Sequence, residues 1–212
     1  MDMNGCGRGL LHAMANSASL ALVPPMTISP IIPVLRKDPF DDPAYLFELK
    51  LDDFRGLADS IQGRMLSKNG NPLKRFEGLL DALPPEYVFD GEIVALDRDG
   101  RPRFNDLLFG RREPSYVAFD VLFADGGDVR SLPLKERKAL LEKVVRRYGL
   151  QRSDPVLGDG RAAFRAVCGL DLEGLVAKRL ADAYEPGRTK WWKILNREYP
   201  QKLGRAELFE RR

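Results

Sequence analysis

Hydrophobic and polar positions follow two periods along this chain. Tyr45 to Leu51 alternates well enough for a strand, and Arg55 to Ile61 and Arg64 to Ser67 extend it as a meander. Asn69-Gly70-Asn71-Pro72 marks a turn. Leu73, Phe76, Leu79, Leu80 and Leu83 then form a helical stripe that stops at Pro84-Pro85. Tyr87 to Leu96 reads as a strand pair, and Asp97-Arg98-Asp99-Gly100 is a hairpin-turn signal. A short helix over Phe104 to Phe109 and a buried strand over Tyr116 to Phe123 follow. Pro133 opens a helix to about Tyr148, with Gly149 as its cap. Arg161 to Gly169 predicts a further helix, Gly174 to Arg179 a strand and Trp191 to Leu195 a last strand. This pattern is α+β with mostly antiparallel strands, not regular βαβ alternation. Residues 1–29 read as a leader without a fold of its own, and 197–212 as a basic tail.

Composition narrows the chemistry. The 212 residues are 44% hydrophobic and 31% charged, an ordinary composition for a water-soluble chain. No apolar run is long enough for a membrane helix, so no membrane partner is expected. The single histidine, His12, lies near the N-terminus, which argues against a histidine base or a His-built metal centre. The two cysteines, Cys6 and Cys168, cannot make a disulfide framework, and reduced thiols in a cytoplasmic protein are expected. Catalysis must therefore come from Lys, Arg, Asp, Glu and bound ions.

The net charge is only +3, but it is unevenly spread. Residues 129–152 hold eight basic and two acidic side chains, and 188–212 hold eight and three. Residues 36–59 hold seven acidic and four basic ones. A basic run is commonly a solvated helix face. Two of them around one fold also suit a polyanionic partner.

Five short segments carry candidate chemistry. Lys50-Leu51-Asp52-Asp53-Phe54-Arg55 ends a strand with a lysine beside two carboxylates; a lysine amine attacks only in its neutral form. Phe89-Asp90-Gly91-Glu92 sets an acid next to a glycine. Phe119-Asp120 interrupts an apolar strand, which on its own reads as a core phenylalanine beside a solvent-facing acid. Glu173-Gly174-Leu175-Val176-Ala177-Lys178 and Lys190-Trp191-Trp192-Lys193 complete the set.

The order and spacing of these segments, from about Ile32 to Asn196, resemble the covalent nucleotidyltransferases. The likeness is greatest to the ATP-dependent DNA ligases, in particular the ligase domain of bacterial end-joining ligases. The resemblance implies an adenylation-domain fold over residues 30–196, with two antiparallel sheets, flanking helices and a nucleotide groove between them. It implies ATP as AMP donor, Mg²⁺ or Mn²⁺ as cofactor, and nicked or broken DNA as partner in strand joining during repair or recombination, with other end-joining proteins. A nucleoid-associated place in the cytoplasm follows from that role. Lys50 would take AMP from ATP. Glu48 would lie near the adenine edge, and Phe119 would stack on the base. Arg55 and Lys68 would contact the ribose or the DNA phosphate, and Arg188 the DNA. Glu92 would hold the ribose or a metal-bound water, and Glu173 would help place the ion. Lys178 and Lys193 would hold the α-phosphate.

The sequence departs from that pattern in three ways. Asp53 stands where the family's Lys-x-Asp-Gly motif has glycine, adding negative charge beside a polyphosphate site, and is expected to slow self-adenylylation. Leu195 stands where the last strand usually carries a second lysine. The residues after Asn196 are too few for the family's OB-fold domain. These departures leave a second reading open, a module that binds nucleotide or DNA ends with weakened or no catalysis. RNA also stays open as substrate, because no decisive reader of the 2′-hydroxyl is visible.

Overall fold

The computed structural model describes residues 28–51 and 53–199. The expected leader and tail lie outside the described residues, apart from Ile28, Ser29 and Arg197 to Tyr199. Ile28 and Tyr199, which the sequence reading left outside the domain, are both buried, at 7% and 6% exposure.

Two sheets make the frame. The first runs in the order β1 (Val34–Leu35), β11 (Trp192–Leu195), β10 (Gly174–Arg179), β2 (Asp42–Leu49), β9 (Val156–Gly158). The second runs β4 (Arg64–Ser67), β3 (Phe54–Asp59), β5 (Val88–Val94), β6 (Ser115–Ala124), β7 (Gly127–Asp128), with β8 (Gln151–Arg152) beside β6. Pairing is antiparallel except for β1 with β11 and β6 with β8. The α+β class is as the pattern predicts.

Two expectations fail. Tyr87 to Leu96 is not a strand pair: Val88–Val94 forms the single strand β5, hydrogen-bonded to β3 and β6. The strands at 45–51 and 55–67 do not form one meander. β2 pairs with β10 and β9, whereas β3 pairs with β4 and β5. The chain changes sheets between Leu49 and Phe54, a segment with neither glycine nor proline to turn a hairpin. Lys50 therefore sits at the junction of the two sheets. The stripe at 73–83 forms a 3₁₀ helix, Lys74–Ala82, not an α-helix. Its apolar residues Leu73, Phe76 and Leu79 recur every three positions, the 3₁₀ repeat.

Helix α1 (Phe104–Leu108) is short. Helix α2 (Leu134–Tyr148) ends at Gly149, whose φ of 72° is left-handed, a conformation glycine adopts without a Cβ penalty. Helix α3 (Gly160–Gly169) packs on β10 and β2, where its Val167 joins Phe47, Leu175 and Ile194. The larger core lies under the second sheet, around Phe89, Ile93, Leu107 and Leu141. A third cluster includes Ile31, Leu57, Tyr184 and Trp191.

Candidate active site

A cavity of about 230 Å³ opens between the sheets. Its walls include Glu48, Lys50, Arg55, Lys68, Glu92, Phe119, Lys178, Trp191 and Lys193. Strand register explains the gathering. Lys193 pairs with Val176 and Val176 with Glu48, so these residues share one face of the first sheet. Lys178, two residues after Val176, joins them. In the second sheet Arg55 lies directly across from Glu92, with Asp90 two residues away on the same face.

Phe119 reaches the cavity through a β-bulge. Ala118 pairs with Gly91 and Asp120 with Asp90, leaving Phe119 as the extra residue. The bulge reverses the reading of this dipeptide taken alone. Phe119 is half-buried at the cavity wall, while Asp120 is fully buried. Asp120 accepts two hydrogen bonds from the Arg137 guanidinium of α2, both 2.9 Å.

Lys50 donates to Glu173 Oε2 at 2.7 Å, and its backbone N–H donates to Gly174 O at 2.9 Å. Gly174 lies close under β11, where a Cβ would fall 2.2 Å from Ile194 O. Burial pushes the Glu173 carboxyl above its ordinary range despite Lys50 beside it. Burial also raises Glu92 to about 7, with Lys50 and Arg55 opposing and Asp90 and Glu173 adding.

Asp53 is buried, and neither carboxylate oxygen has a hydrogen-bond partner among the described residues. Burial, then repulsion from Glu92 and Glu173, pushes it up to about 8, against the pull of Lys50. These acids fit a hard cation by donor type. Among the described residues no group of three is arranged to hold a metal by itself. Two carboxylates would need oxygens from substrate or water, the usual habit of Mg²⁺.

Several cations are already committed. Arg55 donates bidentately to Asp90, at 2.9 and 2.6 Å, and also to Ile31 O at 2.5 Å. Burial opposes its charge, yet Asp90 outweighs burial and raises its pKa. Tyr184 donates to the same Asp90 at 2.6 Å. Lys178 pairs with Glu48 at 2.7 Å, and its ammonium lies 4.2 Å from the Phe119 ring centre and 4.1 Å from that of Trp191. Lys138 of α2 pairs with Glu48 as well. Burial alone would raise Glu48, but the two lysines together hold it below the usual range. Lys178 is lowered by burial, with Lys138 adding and Glu48 opposing.

Nine of the ten residues expected from sequence thus come together around Lys50. Arg188 does not. It is exposed in the loop after Tyr184, 3.9 Å from Glu185. Sequence reading missed the supports: Lys138 was one cation in a basic helix, Asp90 one residue of a motif read for Glu92, and Tyr184 part of a polar loop.

Residues 35–194 match the sequence model of the ATP dependent DNA ligase domain. The chain belongs to that family. It is 36% identical over 163 residues to the multifunctional non-homologous end joining protein LigD of Pseudomonas aeruginosa, covering 70% of this chain and 19% of that protein. It is 29% identical over 191 residues to the SPbeta prophage-derived DNA ligase-like protein LigB of Bacillus subtilis, covering 84% and 71%. Among solved structures, the ligase domain of M. tuberculosis LigD superposes with a TM-score of 0.69 at 27% identity, over 78% of this chain and 58% of that one. A mycobacterial DNA ligase D complexed with ATP and MES gives 0.71 at 27%, over 79% and 60%. The chain therefore spans about a fifth of the P. aeruginosa LigD and under two thirds of these two ligase structures. The ligase family and its nucleotidyltransferase fold agree with the expectation from the motifs. Among the described residues no helix is long and apolar enough to cross a membrane.

Proposed function

We propose that this ligase domain forms a lysyl-AMP intermediate at Lys50 and passes the AMP to a DNA 5′-phosphate for strand joining. The observation that carries the reading is the position of Lys50, at the sheet junction, on the wall of a cavity that also presents an aromatic face and Lys193. ATP would enter with its adenine against Phe119 and near Glu48. Arg55, Lys68 and Glu92 would border the ribose.

The neutral Lys50 amine would attack the α-phosphorus. A P–N bond forms, the α–β P–O bond breaks, pyrophosphate leaves, and the lysine proton passes to Glu173 or water. Charge neutralisation matters more here than proton shuttling, which suits a site of Lys, Arg and carboxylates with no histidine. Glu92 and Glu173 would hold Mg²⁺ or Mn²⁺ together with phosphate oxygens. When bound, that ion supplies charge neutralisation at the phosphates.

Lys193 is the phosphate contact this geometry favours, because Lys178 is engaged by Glu48 and the two aromatic rings. Lys193→Ala should therefore cost more in adenylylation than in protein stability.

The overall reading is tested by sealing of a 5′-phosphorylated nick in DNA and in a matched RNA duplex. Sealing of DNA, lost in Lys50→Ala, supports it. Sealing of RNA alone would move the substrate. Binding of either without AMP transfer would favour the non-catalytic module that Asp53 and Leu195 suggest.

A further inference from the structure

A second cavity, about 280 Å³, adjoins the first along β11. Lys193 lines the first and Leu195, two residues on and on the same face, lines the second. Leu195 pairs with Gly174, and Gly174 O accepts from the Lys50 N–H. Lys50, Gly174 and Leu195 thus form one row across three strands, with no side chain at the middle position. On the far side, β1 runs parallel with Leu35 opposite Lys193. Lys37, two residues beyond the end of β1, and Leu195 both line the second cavity.

Its other walls include Arg36, Arg197, Tyr199 and Glu173. Among the described residues, the side chains of Lys37 and Arg197 have no ion-pair or hydrogen-bond partner. Arg36 is held over the Phe40 ring at 4.1 Å, with Nε donating to Asp38 O at 3.2 Å. Its two terminal nitrogens have no partner among the described residues. This contrasts with Lys50, Arg55, Lys138 and Lys178, each already paired with a carboxylate.

We propose that this second cavity is a polyphosphate subsite, in which Lys37, Arg197 and Arg36 hold the β- and γ-phosphates of ATP and then the departing pyrophosphate. The inference rests on the lysyl-AMP reading above. It relocates to the segments after β1 and β11 the charge that Leu195 does not supply. Unpaired guanidinium and ammonium groups suit phosphate oxygens, the former in bidentate fashion. The Glu173 carboxylate at the edge is paired with Lys50 at 2.7 Å before ATP enters.

The test compares wild type with Lys37→Ala, Arg197→Ala and, as a remote charge control, Arg165→Ala on α3. Calorimetry measures binding of inorganic pyrophosphate, ATP, AMP and 5′-phosphorylated nicked DNA. Adenylylated protein is separately titrated with pyrophosphate and assayed for released ATP. Neither tested side chain has a partner among the described residues, so folding should survive both changes. Each variant should bind pyrophosphate and ATP about fivefold to tenfold more weakly, with AMP and the control unchanged. Leu195→Lys in the Lys37→Ala background should restore ATP binding.

Equal pyrophosphate and ATP affinities in wild type and both variants would overturn the subsite. A loss confined to 5′-phosphorylated nicked DNA would overturn it too, by assigning the cavity to the DNA end. Failure of the lysyl-AMP reading is distinguishable: wild-type protein would take no AMP, while pyrophosphate binding would still report on the cavity.

Discussion

At the scale of single residues, Asp53 is the most consequential. Its carboxylate is buried with no hydrogen-bond partner among the described residues and faces repulsion from Glu92 and Glu173. An acid whose pKa rises on folding binds more protons in the native state than in the unfolded one. From its ordinary 3.8 to about 8, stability should therefore fall as pH rises, the full loss being reached above 8. Glu92, raised from 4.5 to about 7, tilts the same way. In chelator-treated protein Asp53→Asn should flatten the slope that remains between pH 7 and 8. It should be more stable than wild type at pH 9 by about 1–3 kcal/mol, the usual cost of an unsatisfied buried group. Parallel melting curves for the two proteins from pH 6 to 9 would show that Asp53 does not carry this strain. Above pH 8, where Asp53 is ionised, the same charge should repel the triphosphate, so Asp53→Gly should speed self-adenylylation there. A rate no faster than wild type removes Asp53 as the brake.

At the scale of elements, α2 was read as a basic run that is commonly a solvated face, and two of its cations turn inward. Arg137, 1% exposed, holds Asp120 and also donates to Leu132 O at 2.6 Å and Asp182 O at 3.1 Å. Lys138 holds Glu48. Arg137→Ala strands a buried carboxylate and should destabilise the domain by about 3–5 kcal/mol, read as a lowered midpoint in urea. A change below ~1 kcal/mol would mean that Asp120 finds another partner or protonates freely. Arg146 and Arg147 sit on the same helix, and Arg146 is largely exposed. If they face DNA, their double alanine variant should weaken binding and lower its salt dependence. Unchanged affinity at low salt would assign them to an ordinary surface. The helix itself was legible from Pro133 and Gly149, because cap chemistry is local. Its inward cations were not, because whether an arginine points to solvent or to Asp120 depends on a strand that sequence spacing does not locate.

At the scale of the whole molecule, the site is a seam between two sheets. Local alternation located nearly every long strand, and the motif order brought Lys50, Glu92, Glu173 and Lys193 into one expected site. Strand periodicity cannot tell which sheet a strand joins, so the crossing at 50–53 was misread as a meander. The bulge at Phe119 was also invisible, since one extra residue in one strand leaves no compositional mark. The short strands β1, β8 and β9 escaped for a related reason: two or three residues carry no period. β1 matters most, because it leads directly into Arg36 and Lys37 at the second cavity.

The proposed ligase activity turns on covalent chemistry at Lys50. The most direct measurement is the intact mass of the protein after it is stripped of bound nucleotide and incubated with ATP and Mg²⁺ or Mn²⁺, alongside Lys50→Ala. One AMP adduct on the wild type, absent from the variant, is the predicted result. A folded wild-type protein that gains no adduct with either metal would contradict it.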